Sequence, residues 1–192
     1  MNKIFIFIFS LSLLLISLPI MIVISLIILI FDGRPIFFLQ KRSGLNGRIF
    51  ILYKFRTMKN TNSKNDRNRV TKLGKVLRNF KLDELPQLFN MLIGDLNLIG
   101  PRPLLPEYDK HYNKKQKTRL SIKPGITGWA QINEKRNTTW KKRLELDIWY
   151  IENKSLPLDL KIIFKTILML IKMVYKKKNR VTIITKRFDE KN

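Results

Sequence analysis

Two carboxylates stand side by side in the stretch KLDELPQLFNML, residues 81–92, at Asp83 and Glu84, just ahead of Pro86. The chain carries 14 acidic against 38 basic residues, and its other adjacent acidic pair, Asp189–Glu190, lies in the last four residues, where a solvated tail explains it. The internal pair asks for a reason. The pattern predicts a helix from about Glu84 to Ile93, with Asp83 as N-cap and Pro86 in the first turn, where its missing N–H is harmless. Free N–H groups and the dipole at such a start favour negative charge and lower carboxylate pKa values. An ionised aspartate is a usable nucleophile, and a neighbouring glutamate can hold a divalent cation or move a proton. Two adjacent acids also repel unless a cation lies between them, which makes Mg²⁺ the natural third party. The pair alone reads equally as a helix cap followed by a solvated acid.

Fixed basic residues sharpen the question. Arg102 lies in GPRP, between two prolines; a guanidinium held this way can grip a phosphate bidentately. Lys54 and Arg56, in YKFRTM, are two residues apart and project from one side of a regular strand. Arg78 precedes Asp83 by five residues. Each alone is an ordinary surface charge; with the carboxylate pair they point to a phosphate-bearing substrate.

The composition sets the frame for that chemistry. At 192 residues the chain is one domain of ordinary size, and 45% apolar content argues against disorder. A net charge of +24 attracts nucleic acid, an anionic membrane surface or phosphorylated substrates. Without cysteine, and with His111 as the one histidine, disulfides and Cys/His zinc sites are excluded. There is no GxxxxGK[ST], no GxGxxG after a strand and no nucleophile-elbow serine, so the common nucleotide and hydrolase folds do not fit.

The elements that position these residues begin at a membrane. Residues 4–31 run without a charge, longer than the apolar core of a secretory signal. A straight helix of that length crosses a hydrocarbon core of about 30 Å. Pro19, with Ser17 nearby, can instead bend it into a hairpin that enters and leaves on one face. The basic block after Phe31 favours the cytoplasmic side either way. Residues 32–40 read as a turn and a short extended piece, and RIFILYKF as a strand. Residues 59–71 read as a polar mobile loop. Leu73, Val76, Leu77 and Phe80 recur at helical spacing, and Trp140–Ile151 reads as an amphipathic helix. GDLNLIGPRPLLPEY and IKPGITGWAQ read as stiff loops. Lys161, Lys165, Lys172 and Lys176 form one stripe on a helix from about Leu158 to Tyr175, suited either to a headgroup interface or to packing with a solvated lysine face.

In order, PIFFLQKRSGLNGRIFILYKFRTM, TKLGKVLRNFKLDELPQLFNMLIGDLNLIGPRPLLPEY, IKPGITGWAQIN and LELDIWYIENKSLPLDLKIIFKTI resemble the bacterial sugar transferase family. More narrowly, the chain resembles its small monotopic phosphoglycosyl transferases, over roughly residues 4–175. The resemblance implies a mostly helical α+β fold: a re-entrant helix-break-helix at 1–31, a compact catalytic domain at 32–175 with amphipathic interface helices, and a basic tail at 176–192. It implies an enzyme of the bacterial inner membrane, its catalytic domain on the cytoplasmic face. That enzyme moves a sugar-1-phosphate from a UDP-sugar to undecaprenyl phosphate and releases UMP, with Mg²⁺ as cofactor. Asp83 would form a covalent phosphosugar intermediate, and Asp83 and Glu84 would hold the metal. Lys54, Arg56, Arg78, Arg102, Lys135, Arg136 and Asp159 would bind substrate. Anionic lipids and downstream glycosyltransferases are the further partners expected, and nucleic acid is not. The competing reading is a non-enzymatic, membrane-anchored basic protein that binds anionic lipid or nucleic acid. The sequence departs from the family at Leu18, before Pro19, at Leu39 in FFLQ, and in the loop Asn133-Glu134-Lys135-Arg136.

Overall fold

The computed structural model describes residues 3–59, 69–135 and 137–175. A single helix, α1 (Lys3–Phe31), opens the described chain and passes through Pro19 without the break expected there. Its stretch Ile6–Phe31 is long and apolar enough to cross a membrane, and little of it is buried inside the protein. The Ser17 hydroxyl donates to the Leu14 carbonyl at 3.1 Å, in the turn before the proline. Both halves of α1 nonetheless touch the rest of the chain. Ile6 and Phe9 pack against Phe50, Leu52, Met91 and Leu96. Ile24 and Ile28 share a core with Phe55 and Leu77.

An antiparallel hairpin follows, β1 (Phe37–Ser43) with β2 (Ile49–Phe55), in the register Phe37 opposite Phe55 and Ser43 opposite Ile49. Helix α2 (Lys72–Asn79) is capped by Thr71, whose hydroxyl accepts from Gly74 N at 2.8 Å. It lies so close to the hairpin's exit that a Cβ on Gly74 would sit 2.2 Å from the Thr57 carbonyl oxygen. Only a glycine permits that approach.

The helix expected from Glu84 to Ile93 is two pieces. Residues Leu82–Glu84 form a 3₁₀ turn, and helix α3 (Gln87–Leu92) starts after Pro86 as N-cap. Pro86 has no N–H to return to the carbonyl four residues back, so the α-helical ladder cannot run through it. Asp83 is therefore inside a tight turn and not a helix cap. Lys81, which opens that turn, takes the left-handed conformation at φ 59°, a backbone state that costs a non-glycine residue about 1–2 kcal/mol.

Two short strands, β3 (Asn97–Ile99) and β4 (Gly125–Thr127), pair in parallel inside the stretches that read as loops. Three residues between prolines and glycines leave no period to detect. A Cβ on Gly125 would meet Gly100 N at 2.1 Å, so the two glycines let these chains touch. Helices α4 (Trp129–Asn133), α5 (Trp140–Glu152) and α6 (Leu156–Tyr175) complete the described chain. Ile162 of α6 is fully buried with Tyr150 and Ile99, which joins α5, α6 and β3 into one core. Phe164, Ile167, Leu168 and Ile171 remain exposed on the same helix. Lys176 of the predicted lysine stripe, most of the predicted 59–71 loop and the basic tail lie outside the described residues.

Candidate active site

The hairpin, α2 and the 3₁₀ turn converge on a cleft of about 650 Å³. Asn90 of α3 fixes the turn against β2. Its side-chain amide donates to Ile51 O at 2.6 Å and accepts from Tyr53 N at 3.0 Å, as a neighbouring strand would. The same strand presents Lys54 to the cleft one residue later.

Asp83 and Glu84 both line this cavity, and their surroundings push them in opposite directions. Asp83 is buried, and among the described residues no hydrogen-bond donor reaches its Oδ1. Burial, reinforced by the Glu84 charge, raises its pKa; Lys54, Lys81 and Arg78 oppose that rise without cancelling it. The expectation of a lowered value is thus reversed, because desolvation outweighs any gain from a short 3₁₀ turn. Burial would also raise Glu84, but Lys54, Arg102 and Lys81 hold it well below the usual carboxylate range. The partners are close: Lys54 Nζ lies 2.8 Å, Arg102 Nη2 3.4 Å and Lys81 Nζ 3.9 Å from Glu84 Oε1. Lys54 itself is pulled down by burial and by Arg102, against the attraction of Glu84.

The loop bearing Arg102 is held along its whole backbone. Gly125 N donates to Pro101 O at 3.0 Å, and Arg119 Nη2 to Arg102 O at 2.6 Å. Arg42 Nη1 donates to Pro103 O at 3.2 Å, and Ser43 N to Leu104 O at 3.0 Å. Four successive carbonyls are bonded and two prolines fix φ, yet the Arg102 side chain is 46% exposed. This is a guanidinium on a rigid base, open to an anion in the cleft.

Of the residues named from sequence, Asp83, Glu84, Lys54, Arg56, Arg78 and Arg102 line the one cleft. Arg78 Nε donates to Thr57 Oγ1 at 2.7 Å. Arg56 is buried, and its guanidinium donates to Arg34 O at 2.7 Å, to Gly33 O at 2.6 Å and to Asp32 O. It ties the segment after α1 to β2 while forming part of the wall. Lys135 and Asp159 do not line the cleft. Lys135 is exposed, with its backbone N–H on Thr138 Oγ1 at 2.7 Å. Asp159 lies in the first turn of α6 and accepts from the Tyr150 hydroxyl at 2.7 Å. Arg136 lies outside the described residues. Arg42, Arg69 and Lys81 line the cleft without having been singled out. The positive-φ backbone of Lys81 leaves no trace in its residue type. Arg42 sits on β1 at the same parity as Gln40, which a strand alternation can place; burial and the nearby Arg102 lower its pKa to about 10.

The donor set suits a magnesium ion. Two adjacent carboxylates, one with a buried oxygen lacking a protein donor, match an ion that takes one or two carboxylates and completes its shell with water and substrate phosphate. Among the described residues there is no cluster of three or more metal-ligating side chains, so a dedicated protein cage is not present.

A family model described as bacterial sugar transferase matches residues 1–173. The chain is 51% identical over 140 residues to an uncharacterized sugar transferase, EpsL, of Bacillus subtilis (strain 168), covering 70% of this chain and 69% of that one. It is 44% identical over 149 residues to a UDP-glucose:undecaprenyl-phosphate glucose-1-phosphate transferase of Xanthomonas campestris pv. campestris, covering 69% and 31%. It is 39% identical over 158 residues to a UDP-N-acetylgalactosamine-undecaprenyl-phosphate N-acetylgalactosaminephosphotransferase of Aeromonas hydrophila, covering 74% and 37%. The chain thus spans about a third of the length of these two longer relatives.

Proposed function

The chain belongs to the bacterial sugar transferase family, and on that premise we propose that it transfers a sugar-1-phosphate from a UDP-sugar to undecaprenyl phosphate. The observation that carries this is the buried Asp83 oxygen without a donor, beside an ion-paired Glu84, in a cleft lined by Arg102, Arg78, Lys54 and Lys81. A diphosphate is the ligand that such a ring of cations fits, and the carboxylate among them is the group with something to attack it.

In the proposed reaction an Asp83 carboxylate oxygen attacks the phosphorus that bears the sugar. The bond from that phosphorus to the bridging oxygen breaks, and UMP leaves with the electron pair. An undecaprenyl phosphate oxygen then attacks the same phosphorus and displaces Asp83, which regenerates the carboxylate and yields the polyprenyl diphosphosugar. Arg102 offsets charge on the diphosphate from its fixed loop, and Arg78 does so from the end of α2. Lys54 keeps Glu84 ionised. Asp83 and Glu84 are the residues that would hold Mg²⁺, which supplies charge neutralisation and orientation of phosphate oxygens.

The proposal places the cleft at the cytoplasmic face of the inner membrane, with α1 re-entrant. Support comes from α1 packing on the domain through both halves, at Ile6 and Phe9 and again at Ile24 and Ile28. A straight span normal to the bilayer would carry its far end about 30 Å from the domain. The exposed apolar face of α6 is flanked by Lys172 and by Lys161 and Lys165, whose ammonium groups lie 5.8 and 5.5 Å from the Trp129 ring centroid, and suits anionic headgroups. The lipid product would pass to downstream glycosyltransferases.

The test is release of UMP from a panel of UDP-sugars in the presence of undecaprenyl phosphate and Mg²⁺. At least one donor is expected to give UMP in proportion to the undecaprenyl phosphate supplied, and no more than about one UMP per enzyme without it. No UMP from any UDP-hexose or UDP-N-acetylhexosamine would overturn the reading.

A further inference from the structure

The strongest buried polar assembly outside the cleft centres on Arg119. Its side chain is 2% exposed and that of Asp147 6%, and the pair joins the 3₁₀ turn Gln116–Leu120 to α5. Arg119 Nε and Nη2 donate to Asp147 Oδ2 at 3.3 and 3.0 Å, and Nη1 donates to the Tyr112 hydroxyl at 3.2 Å. One more bond leaves the assembly: Nη2 to the backbone carbonyl of Arg102, at 2.6 Å. A buried ion pair contributes little net stability, since desolvation of both charges offsets their attraction, and an apolar pair of similar volume is often as good. As an ion pair this assembly carries no net charge, so it adds little to the positive field of the cleft. What it supplies is a fixed donor aimed at one peptide.

Resting on the proposed transferase reading, we infer that Arg119, oriented by Asp147 and Tyr112, is a positioning residue: it sets the place of the Arg102 peptide and thereby the reach of the Arg102 guanidinium. The peptide is a natural lever. Pro101 and Pro103 remove the neighbouring N–H groups, so the loop is held through its carbonyls, and Arg119 holds the one belonging to the functional residue. Arg42 grips the next carbonyl from the β1 side. A lysine at 119 keeps the charge, but its single nitrogen cannot hold Asp147, Tyr112 and the Arg102 carbonyl in one planar fork.

The experiment is a double-mutant cycle on full-length protein, scored by kcat/KM for the UDP-sugar and by thermal melting. Arg119→Lys and Arg102→Ala are each expected to lower kcat/KM, by about 10-fold and about 100-fold. Once Arg102 is alanine, adding Arg119→Lys should lower it by less than 2-fold, because the side chain being positioned is gone. The melting temperature should fall by the same amount in either background. A full 10-fold loss from Arg119→Lys in both backgrounds would overturn the inference and leave a purely structural role. Loss of activity at Arg119 with none at Arg102 would overturn the site reading instead. If Arg119→Lys does not fold, Tyr112→Phe removes one hydroxyl from the fork, and the same cycle decides: a 2–3-fold loss present with Arg102 and absent without it supports positioning, and any other pattern contradicts it.

Discussion

In the proposed reaction Asp83 must be charged to attack, while burial in its site makes that charge unfavourable. Its pKa is raised in the folded protein, so the folded state binds that proton more tightly and stability is lost as pH rises through the folded value. Glu84 has the opposite sign: its lowered pKa contributes stability above the ordinary glutamate range, lost as pH falls through the folded value. Asp83→Asn is therefore expected to lower turnover by at least about 10³-fold while raising the melting temperature at neutral pH by a few degrees. Steady-state UMP release and calorimetry check the two halves. Lys54→Met removes the positive charge that holds Glu84 down and limits the rise of Asp83, so the acidic limb of the pH profile of kcat/KM should move to higher pH, with about a 10–100-fold loss at neutrality. An unmoved limb would show that Lys54 does not govern the ionisation. That the dyad shares one cleft with Lys54, Arg78 and Arg102 followed from the ordered motifs of the family resemblance, since each residue alone read as an ordinary cap or surface charge. The direction of the Asp83 shift was not, since burial depends on α3 folding over β2 through Asn90. Arg56 was read as a substrate ligand on strand parity, and its donors to carbonyls 32–34 depend on a contact no pattern encodes.

At the scale of elements, the cleft exists because α2 presses against the end of the hairpin. Gly74→Ala would force its Cβ to within 2.2 Å of the Thr57 carbonyl, so α2 must move outward. The expected loss is about 1–3 kcal/mol of stability, read by chemical denaturation, together with a raised KM as Arg78 leaves Thr57. Wild-type stability in Gly74→Ala would contradict the close approach. The long elements were readable: α1 from its uncharged apolar run, β2 from its β-branched and aromatic content, and α2, α5 and α6 from helical spacing. The short ones were not. Pro86 divides a predicted single helix into a 3₁₀ turn and α3, and the β3–β4 pair is defined by partners 28 residues apart, Asn97 with Gly125 and Ile99 with Thr127.

For the whole molecule, we propose that apolar α1, amphipathic α6 and the net charge of +24 together bind an anionic membrane. Each lysine near an anionic surface contributes about 1 kcal/mol. Replacing Lys165 and Lys172 by glutamate should weaken retention on anionic liposomes by about 10-fold or more, and leave retention on neutral liposomes unchanged. Unaltered retention on both would favour packing of that face within the protein. A cysteine introduced at position 2 should be labelled only from the cytoplasmic side of intact membranes if α1 re-enters; labelling only from outside would show that it spans.

The central claim is that Asp83 becomes covalently bonded to the transferred phosphosugar. Intact-protein and peptide mass spectrometry, after incubation with an active UDP-sugar and Mg²⁺ in the absence of undecaprenyl phosphate, tests it most directly. The expected result is a mass increase of one sugar phosphate on the peptide containing Asp83, discharged when undecaprenyl phosphate is added and missing in Asp83→Asn. Product that accumulates at full rate with no adduct under rapid quench, or an adduct on another residue, would contradict it.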